Sequence, residues 1–376
     1  MRWCYSLPMK TKTKTPSVVS TSPAAVVSGF TLGLDLGDRA HHVCVLDVSG
    51  QIVREASLPN TRPALSQLLT DFPRATVALE AGTHSPWISR YLTGLGAVVL
   101  VANPRKLHAI SRNERKCDRR DAQMLARLAR ADVALLHPIE HGTAQAQHDL
   151  LGLKLRDALV RTRVNLINAV RFTLKSLGHS VCNPSSESFH KAVLANIPAD
   201  CLPVVQPLLT VLTQVTEQIK GMERDLVQRS KKDYPVTQRL QQISGVGPLT
   251  SLCFVLKIGD PERFSRGRDV GAYLGLCPRR DQSGGTDKQL RISKCGDGMM
   301  RRLLVSAAHY ILGPFGPACA LREYGQRLAG TGSAREKKRA VVAVARKLAV
   351  LLLSLWKHDA DYEPRATTPV LVMTPA

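Results

Sequence analysis

Two short apolar runs near the start of the chain each carry an acidic residue at or near their end. The first, Thr31 to Leu36, contains Asp35, and the second, Ala75 to Leu79, is followed directly by Glu80. Short apolar runs bounded by turn residues are typical of buried strands. Because an unpartnered carboxylate inside such a run costs several kcal/mol, we expect both acids to have a function. The pattern predicts a sheet that carries an acidic site at its strand ends.

Two further acids, Asp118 and Asp121, lie three residues apart in a segment with helical apolar spacing. Residues at this spacing share one face of a helix. Carboxylate oxygens are the ligands that Mg²⁺ prefers, and the ion keeps positions for water and substrate phosphates. Paired metal ions can activate one oxygen and stabilise another during phosphoryl transfer. We therefore predict that Asp35, Glu80, Asp118 and Asp121 bind Mg²⁺ and catalyse chemistry on a nucleic-acid backbone.

The composition favours a polyanionic partner. The chain has 376 residues, a formal net charge of +22 and 44% hydrophobic residues, so it can form two or three packed domains. No apolar run reaches the roughly 20 residues that span a membrane. We expect a cytoplasmic protein, associated with the nucleoid, that binds double-stranded DNA and no membrane.

The nine cysteines show no CxxC pair and no zinc-like spacing, which is typical of a reducing compartment. Cys117, beside Asp118, is interpreted as a packing residue rather than a ligand.

The first half of the chain has the strand and helix order of ribonuclease H-like nucleases. "TLGLDLG", "HHVCVLDV" and "QIVREASL" predict three strands, of which the last two form a hairpin through Ser49-Gly50. "ATVALEA" and "AVVLVANP" predict buried parallel strands joined by the helix "SPWISRYLTGL".

A helical region follows Pro138. Its first apolar seam is predicted at Leu153, Val160, Val164, Ile167 and Leu174, and a second heptad seam runs from Leu208 to Leu226. Both an antiparallel coiled-coil hairpin, with a possible dimer contact, and a plain bundle core fit this pattern.

The last region combines glycines with basic residues. "ISGVGPLTS" resembles a helix-hairpin-helix, in which Gly245 and Gly247 let backbone N–H groups approach a phosphate. Ser283 precedes two glycines, and it is interpreted either as a hydroxyl in a phosphate-binding loop or as a nucleophile. The basic residues predicted to contact nucleic acid are Arg279, Arg280, Lys288, Arg291, Lys294, Arg301 and Arg302.

Together these motifs resemble the DEDD-type insertion-sequence transposases, which are RNA-guided recombinases. The resemblance runs from about Leu32 to Leu312 and includes Asp35, Glu80, Asp118-x-x-Asp121, "YLGLCPR", "SGG" and "RISKCGDGMMRRLL". It implies a ribonuclease H-like domain holding the four acids and a mostly α carboxy-terminal transposase domain whose nucleophile matches Ser283. It also implies a composite site between subunits, hence a homodimer or homotetramer, and a structured guide RNA that pairs with donor and target DNA.

One segment departs from the family pattern. After Glu80, His84 and Trp87 replace an expected tyrosine, and packing and nucleotide stacking both remain open for them. The expected organisation begins with a disordered basic tail (1–28) and a ribonuclease H-like domain (29–145). A helical hairpin (146–234), a serine transposase domain (235–330) and a terminal helix with tail (331–376) follow.

Three alternatives compete with this reading. "DLGD" and "DQSGGT" imitate the phosphate motifs of sugar-kinase or actin-like ATPases, although a charge of +22 argues against that class. A junction-resolving nuclease would use the acids without Ser283, and a non-enzymatic DNA-binding protein would leave the acids unexplained. No segment has the pattern of a recognition helix, so we expect the basic surface mainly to hold RNA, which then selects the DNA site.

Overall fold

The computed structural model describes residues 29–107, 117–180, 184–330 and 332–364, and the chain divides into two compact units after His141. The predicted disordered basic tail, residues 1–28, lies outside the described residues. Each unit has its own hydrophobic core, and each is described by itself below.

The first unit is built on a five-stranded mixed sheet with strand order β3-β2-β1-β4-β5. As the sequence predicts, β2 and β3 form an antiparallel hairpin, and Gly50 in their connection adopts a positive φ of 83°. β1 pairs antiparallel with β2 and parallel with β4, which in turn pairs parallel with β5. The strands span β1 Thr31–Asp35, β2 Ala40–Leu46, β3 Ile52–Pro59, β4 Thr76–Glu80 and β5 Val98–Ala102.

Helices cover both faces of this sheet. One face packs against α1 (Arg62–Asp71) and α2 (Ser85–Gly94), which form a core with the leucine and valine side chains of β1, β2 and β4. The other face packs against α3 (Asp118–Ala131), whose small residues contact Cys44, Leu46 and Ala78. Because side chains alternate across a strand, this second face also receives alternate residues of β1 and β4.

The second unit begins with two long antiparallel helices, α4 (Ala144–Ser176) and α6 (Leu202–Asp233), joined through the short helix α5 (Phe189–Ala192). Ion pairs join Asp149 to Arg229 and Arg156 to Glu223, which fixes the antiparallel direction.

The predicted seam on α4 is only partly correct. Leu153, Ile167 and Leu174 are buried as expected, but Val164 is 42% exposed and Arg163 is buried in its place. The seven-residue spacing itself is kept, but the second set of buried positions is Arg163 and Val170, each four residues before Ile167 or Leu174, so Val164 lies beside the buried stripe.

The remainder of the second unit is a helical core with one exposed hairpin. The core side chains come mainly from α8, α10 and α12, and the last two lie side by side. Strands β6 and β7 form a separate antiparallel sheet with exposed side chains. The elements are α7 Val236–Leu240, α8 Pro248–Ile258, α9 Asp269–Tyr273, β6 Pro278–Ser283, β7 Thr286–Ile292, α10 Gly298–Leu312, α11 Ala320–Ala329 and α12 Ala334–Lys357. Among the described residues, no helix is both long and apolar enough to cross a membrane.

Candidate active site

The carboxyl ends of β1 and β4 place two of the predicted acids on adjacent parallel strands. Asp35 ends β1 and Glu80 ends β4, and the register that pairs Leu34 with Leu79 makes the two acids neighbours across the ladder. Gly33 and Ala78 lie on the sheet face that packs against α3. Because alternate residues of a strand share a face, Asp35 and Glu80 lie on the α3 face as well.

The other two acids occupy the first turn of α3. Asp118 is its first residue and is exposed, whereas Asp121 is buried with 6% of its surface exposed. Acidic residues in a first helical turn interact favourably with the partial positive charge of the helix N-terminus.

Gly33 explains why this turn lies close to β1. A Cβ atom built on Gly33 would lie 1.9 Å from the carbonyl oxygen of Ala122 and 2.6 Å from the nitrogen of Ala126. The strand and the helix therefore meet backbone to backbone, and only glycine fits at this position. Since Gly33 is two residues before Asp35 and Ala122 directly follows Asp121, this contact brings the acids of β1 and α3 to the same edge of the sheet.

The first turn of α3 is also fixed by contacts with β3. Arg119 and Gln123 both donate hydrogen bonds to the carboxylate of Glu55, with Arg119 Nε 2.8 Å from Oε2. These bonds, led by that from Arg119, lower the pKa of Glu55. Arg119 is therefore engaged within the fold, although the candidate ligands Asp118 and Asp121 are one and two residues away in the sequence.

His42 is a neighbour of the acids that the sequence reasoning missed. It pairs directly with Asp35 across the β1–β2 ladder, and its Nε2 lies 3.8 Å from Asp118 Oδ2. The signal was present, because the register of a hairpin and the two-residue period of a strand determine which side chain lies opposite Asp35.

The interpretation of Cys117 as a packing residue is wrong. Cys117 is the exposed N-cap residue of α3, and its side chain makes no capping hydrogen bond. The helix begins at the next residue, so the chain presents this side chain at the helix end rather than toward the core.

His84 and Trp87, which the sequence left open, form a polar chain with Asp38. Trp87 Nε1 donates to His84 Nδ1 at 3.3 Å, and His84 Nε2 lies 2.9 Å from Asp38 Oδ1. Trp87 also packs against the core under α1 and α2. These contacts favour packing over nucleotide stacking for Trp87.

Ser283 lies in the second unit, at the tip of the β6–β7 hairpin. It ends β6 and pairs with Thr286 across the Gly284-Gly285 turn, where Gly284 has a φ of 54°. Every residue of β6 is exposed, and none of the described hydrogen bonds involves the Ser283 hydroxyl. The tip is thus an accessible hydroxyl on a narrow, solvent-exposed projection.

The base of this hairpin is attached to the core by two interlocked loops. Gly275 and Gly296 meet so closely that a Cβ on Gly275 would lie 2.6 Å from Cys295 N, and one on Gly296 would lie 2.4 Å from Tyr273 O. Ser293 and Lys294 donate backbone hydrogen bonds to Cys277 and Gly275 across the same contact. The glycines of "YLGLCPR" and "RISKCGD" therefore fix the position of the hairpin relative to α10.

Three of the seven residues predicted to contact nucleic acid form hydrogen bonds or ion pairs within the second unit. Arg280 is bonded to Asp287 across the hairpin, Arg301 Nη1 donates to Leu274 O at 3.2 Å, and Arg302 Nη2 lies 2.6 Å from Asp157 Oδ2. The other four are exposed, namely Arg279, Lys288, Arg291 and Lys294.

The N-terminus of α10 carries a partly buried ion pair. Asp297 caps this helix by accepting from Met300 N, and Lys257 Nζ lies 2.7 Å from its other oxygen. Burial raises the pKa of Asp297, but the bonds from Lys257 and Met300 N more than offset it, so the pKa lies below its ordinary value.

The helix-hairpin-helix-like turn lies between α7 and α8, and its two glycines differ. Gly245 has a φ of 89°, and a Cβ there would lie 3.0 Å from the Tyr310 ring and 3.1 Å from Ala307 O. Gly247, the N-cap of α8, has open space around it. Close packing against α10 therefore requires Gly245, and Gly247 is the residue at which a ligand could approach.

Two family models match this chain. The model of the transposase IS116/IS110/IS902 family matches residues 237–319, and the DEDD transposase model of the IS110 type matches residues 32–178. The first match includes Ser283, and the second includes all four acids.

Individual relatives are similar along most of the chain. A transposase for insertion sequence element IS1328 of Yersinia enterocolitica is 31% identical over 74% of this chain and 82% of its own length. A transposase for insertion sequence element IS1111A of Coxiella burnetii is 29% identical over 75% and 77%. A probable family 20 transposase of Pseudomonas aeruginosa is 26% identical over 89% and 98%. The chain therefore belongs to the IS110 family of transposases, enzymes that cleave and rejoin DNA strands.

Proposed function

We propose that this transposase cuts DNA with a divalent-metal site formed by Asp35, Glu80, Asp118 and Asp121, and that Ser283 is the nucleophile that carries the cut strand. The observation that supports this most is the close approach at Gly33, which brings the first turn of α3, with Asp121, next to β1, whose last residue Asp35 neighbours Glu80 on β4. The mixed sheet, with α3 packed on the face that carries the acids, supports a ribonuclease H-like assignment for this unit. The family assignment excludes the ATPase and the non-enzymatic DNA-binding protein as alternatives.

The donor set of the acidic edge suits a hard divalent cation. All four side chains offer carboxylate oxygens, and Mg²⁺ binds such oxygens while retaining water and phosphate ligands. Within the part of the chain that the structure describes, no group of three or more His, Cys, Asp or Glu side chains is already close enough to hold a metal. We therefore expect the exposed Asp118 to turn toward Asp35 when a cation and a phosphate backbone bind. The bound ion would stabilise charge on the phosphate oxygens during strand cleavage.

The exposed hairpin tip supports a nucleophilic role for Ser283. An attacking hydroxyl must reach phosphorus without steric obstruction, and the two glycines that follow Ser283 leave open space beside it. Exposed basic side chains on the same hairpin can hold the phosphodiester, since guanidinium and ammonium groups form strong bonds to phosphate. Attack of the Ser283 oxygen on phosphorus would break the bond from phosphorus to one strand oxygen, which would leave as a free hydroxyl after taking up the serine proton. The phosphoserine link would conserve the phosphodiester energy, so strands could be exchanged and resealed without ATP.

We further propose that a structured guide RNA and a homodimer or homotetramer complete the enzyme. The positive charge is spread over the whole chain, 52 Lys and Arg against 30 Asp and Glu, which suits a long polyanion. Phosphate contacts position a nucleic acid but carry little sequence information. Protein alone should bind duplex DNA weakly and without site preference, and transcript from the flank of the element should create that preference. Sequence-specific recombination by RNA-free protein would refute the guide.

The acidic site is tested by removing single charges. Asp118→Asn and Asp121→Asn should abolish cleavage while leaving DNA affinity unchanged or slightly higher, because a repulsive charge is lost. Glu140→Gln, which neutralises an exposed acid outside the site in the same unit, is the matched control and should cleave normally. Normal recombination by both aspartate variants would show that the site is misassigned.

Ser283 is tested by trapping the covalent intermediate. Ser283→Ala should bind DNA but form no denaturation-resistant protein–DNA adduct, and Ser283→Cys should retain at most a trace. Thr286→Val removes the hydroxyl of the residue that pairs with Ser283 in the strand register, so it controls for hairpin perturbation and should form the adduct normally. A normal adduct yield from Ser283→Ala would assign the nucleophile elsewhere and favour attack by water, as in a junction-resolving nuclease.

A further inference from the structure

The segment that follows the last helix is unusually acidic for this chain. Asp359, Asp361 and Glu363 lie within five residues, and no other five-residue window of the sequence contains three acids. The chain as a whole has a net charge of +22, so this run opposes the general charge balance. We call residues 359–363 the acidic strap.

The acidic strap is docked on Arg239 in the last turn of α7 and on Gln242 just after that helix. Asp359 forms an ion pair with Arg239 Nη1, and Asp361 Oδ1 lies 3.4 Å from Arg239 Nε. Gln242 completes the contact, because its Nε2 donates to Asp361 Oδ1 at 3.0 Å and its Oε1 accepts from the Tyr362 N–H at 2.7 Å. One guanidinium and one amide thus hold two carboxylates.

Anchoring of the strap does not require these carboxylates. The side chains of Asp359 and Asp361 are 84% and 75% exposed, and exposed ion pairs contribute little to stability because water screens them. Tyr362 packs against the hydrophobic core and provides the apolar anchor. Asp359 also has a φ of 50°, a left-handed conformation that an aspartate adopts at some energetic cost. Stability alone therefore gives no reason to place two acids on Arg239.

Arg239 and Gln242 have the chemistry of a phosphodiester receptor. The guanidinium of Arg239, in the last turn of α7, offers a planar fork that matches oxyanions such as carboxylate and phosphate. Gln242 adds a neutral donor, and Gly245 and Gly247 of the helix-hairpin-helix-like turn follow directly in sequence. In the structure, these donors are bonded to the carboxylates of the acidic strap.

We propose that Arg239 and Gln242 form a phosphodiester-binding site, which the acidic strap occupies until a nucleic-acid backbone displaces it. The proposal rests on the nucleic-acid binding included in the proposed function, but it needs neither the metal site nor Ser283. The strap would compete with phosphate groups for Arg239, so the enzyme would bind nonspecific DNA less tightly than its net charge predicts.

The test measures affinity for a labelled random-sequence DNA duplex by fluorescence anisotropy over a range of salt concentrations. The strap variant Asp359→Asn/Asp361→Asn is compared with Asp225→Asn/Asp233→Asn, which removes the same charge from exposed positions of α6 that take part in none of the described ion pairs. We expect the strap variant to bind about fivefold more tightly than this control at low salt, the equivalent of one exposed ion pair. A plot of log affinity against log salt concentration should be steeper by about 0.9 for the strap variant, because one additional phosphate contact releases counterions.

The same strap substitutions in an Arg239→Gln background identify the receptor. There, the strap variant should gain no more affinity than the control pair gains, because the released site no longer holds phosphate. Thermal unfolding of each variant verifies that it remains folded. A strap variant that matches its control, or a gain that persists without Arg239, would overturn the proposal. Because binding is measured without cleavage, failure of the catalytic assignments would leave this result unaffected.

Discussion

The contact at Gly33 predicts that one methyl group can disrupt the acidic site. In Gly33→Ala, the new Cβ would lie 1.9 Å from Ala122 O and 2.6 Å from Ala126 N. Non-bonded heavy atoms stay about 3.5 Å apart, so β1 and α3 must separate by more than ~1 Å. Both near atoms belong to the helix backbone, so rotation of a side chain cannot relieve the clash. We expect Asp121 to move away from Asp35 as the helix shifts.

Two quantities follow from this displacement. Overpacking of this kind destabilises a fold by about 1–3 kcal/mol, which denaturant unfolding would report. A misplacement of about 1 Å at a catalytic site reduces the rate by about 100-fold, which a DNA-cleavage assay under saturating Mg²⁺ would report. DNA affinity should change little, since the exposed basic side chains of the chain are untouched.

Gly82→Ala is the matched control for this experiment. Gly82 is two residues after Glu80, and a Cβ there meets nothing within 4 Å. The substitution should be neutral or stabilise by up to about 1 kcal/mol, because alanine restricts the unfolded chain more than glycine does. If Gly33→Ala matched the Gly82→Ala variant in stability and cleavage, the close approach of β1 and α3 would not be what assembles the acids.

Two further predictions concern the second unit. The Asp149 carboxylate is fully buried and accepts from Tyr234 Oη and Arg229 Nη1, both at 2.7 Å, so Asp149→Asn should destabilise by about 2–3 kcal/mol in denaturant unfolding; an unchanged midpoint would contradict this. The lowered pKa of Asp297 means that its contribution to stability is present above its ordinary pKa of 3.8 and is lost as the pH falls through the folded value. Asp297→Asn should therefore lower stability at neutral pH and flatten the loss of stability below about pH 5 in pH-dependent unfolding, whereas an unchanged slope would exclude this ion pair as a source of acid sensitivity.

Local patterns in the sequence were enough to predict much of the first unit. Apolar runs around Asp35 and Glu80, the Ser49-Gly50 turn and the helix between two apolar strands led directly to the hairpin and the parallel β4–β5 pair. These features depend on residues close together in the chain, where the period of apolar side chains and the turn chemistry determine the backbone. The family assignment followed from the order of the motifs and was confirmed by the comparisons.

Long-range contacts decided the features that the sequence left open or predicted wrongly. Cys117 was expected to pack but is exposed, and Arg163 is buried where Val164 was expected to be. Both differences arise because the start and the rotation of a helix depend on what packs against it. The helical period placed Asp118 and Asp121 on one helix, but only the close approach at Gly33 determines that this helix turn lies beside Asp35.

The acidic strap shows the same division between sequence and tertiary structure. The sequence by itself determined that three acids follow the last helix of a strongly basic chain. The docking of two of them on Arg239, 120 residues before Asp359 and 122 before Asp361, became visible only in the fold. Sequence periodicity records the interactions of a residue with its near neighbours, whereas a charge pair between distant segments exists only once the packing of the core has brought those segments together.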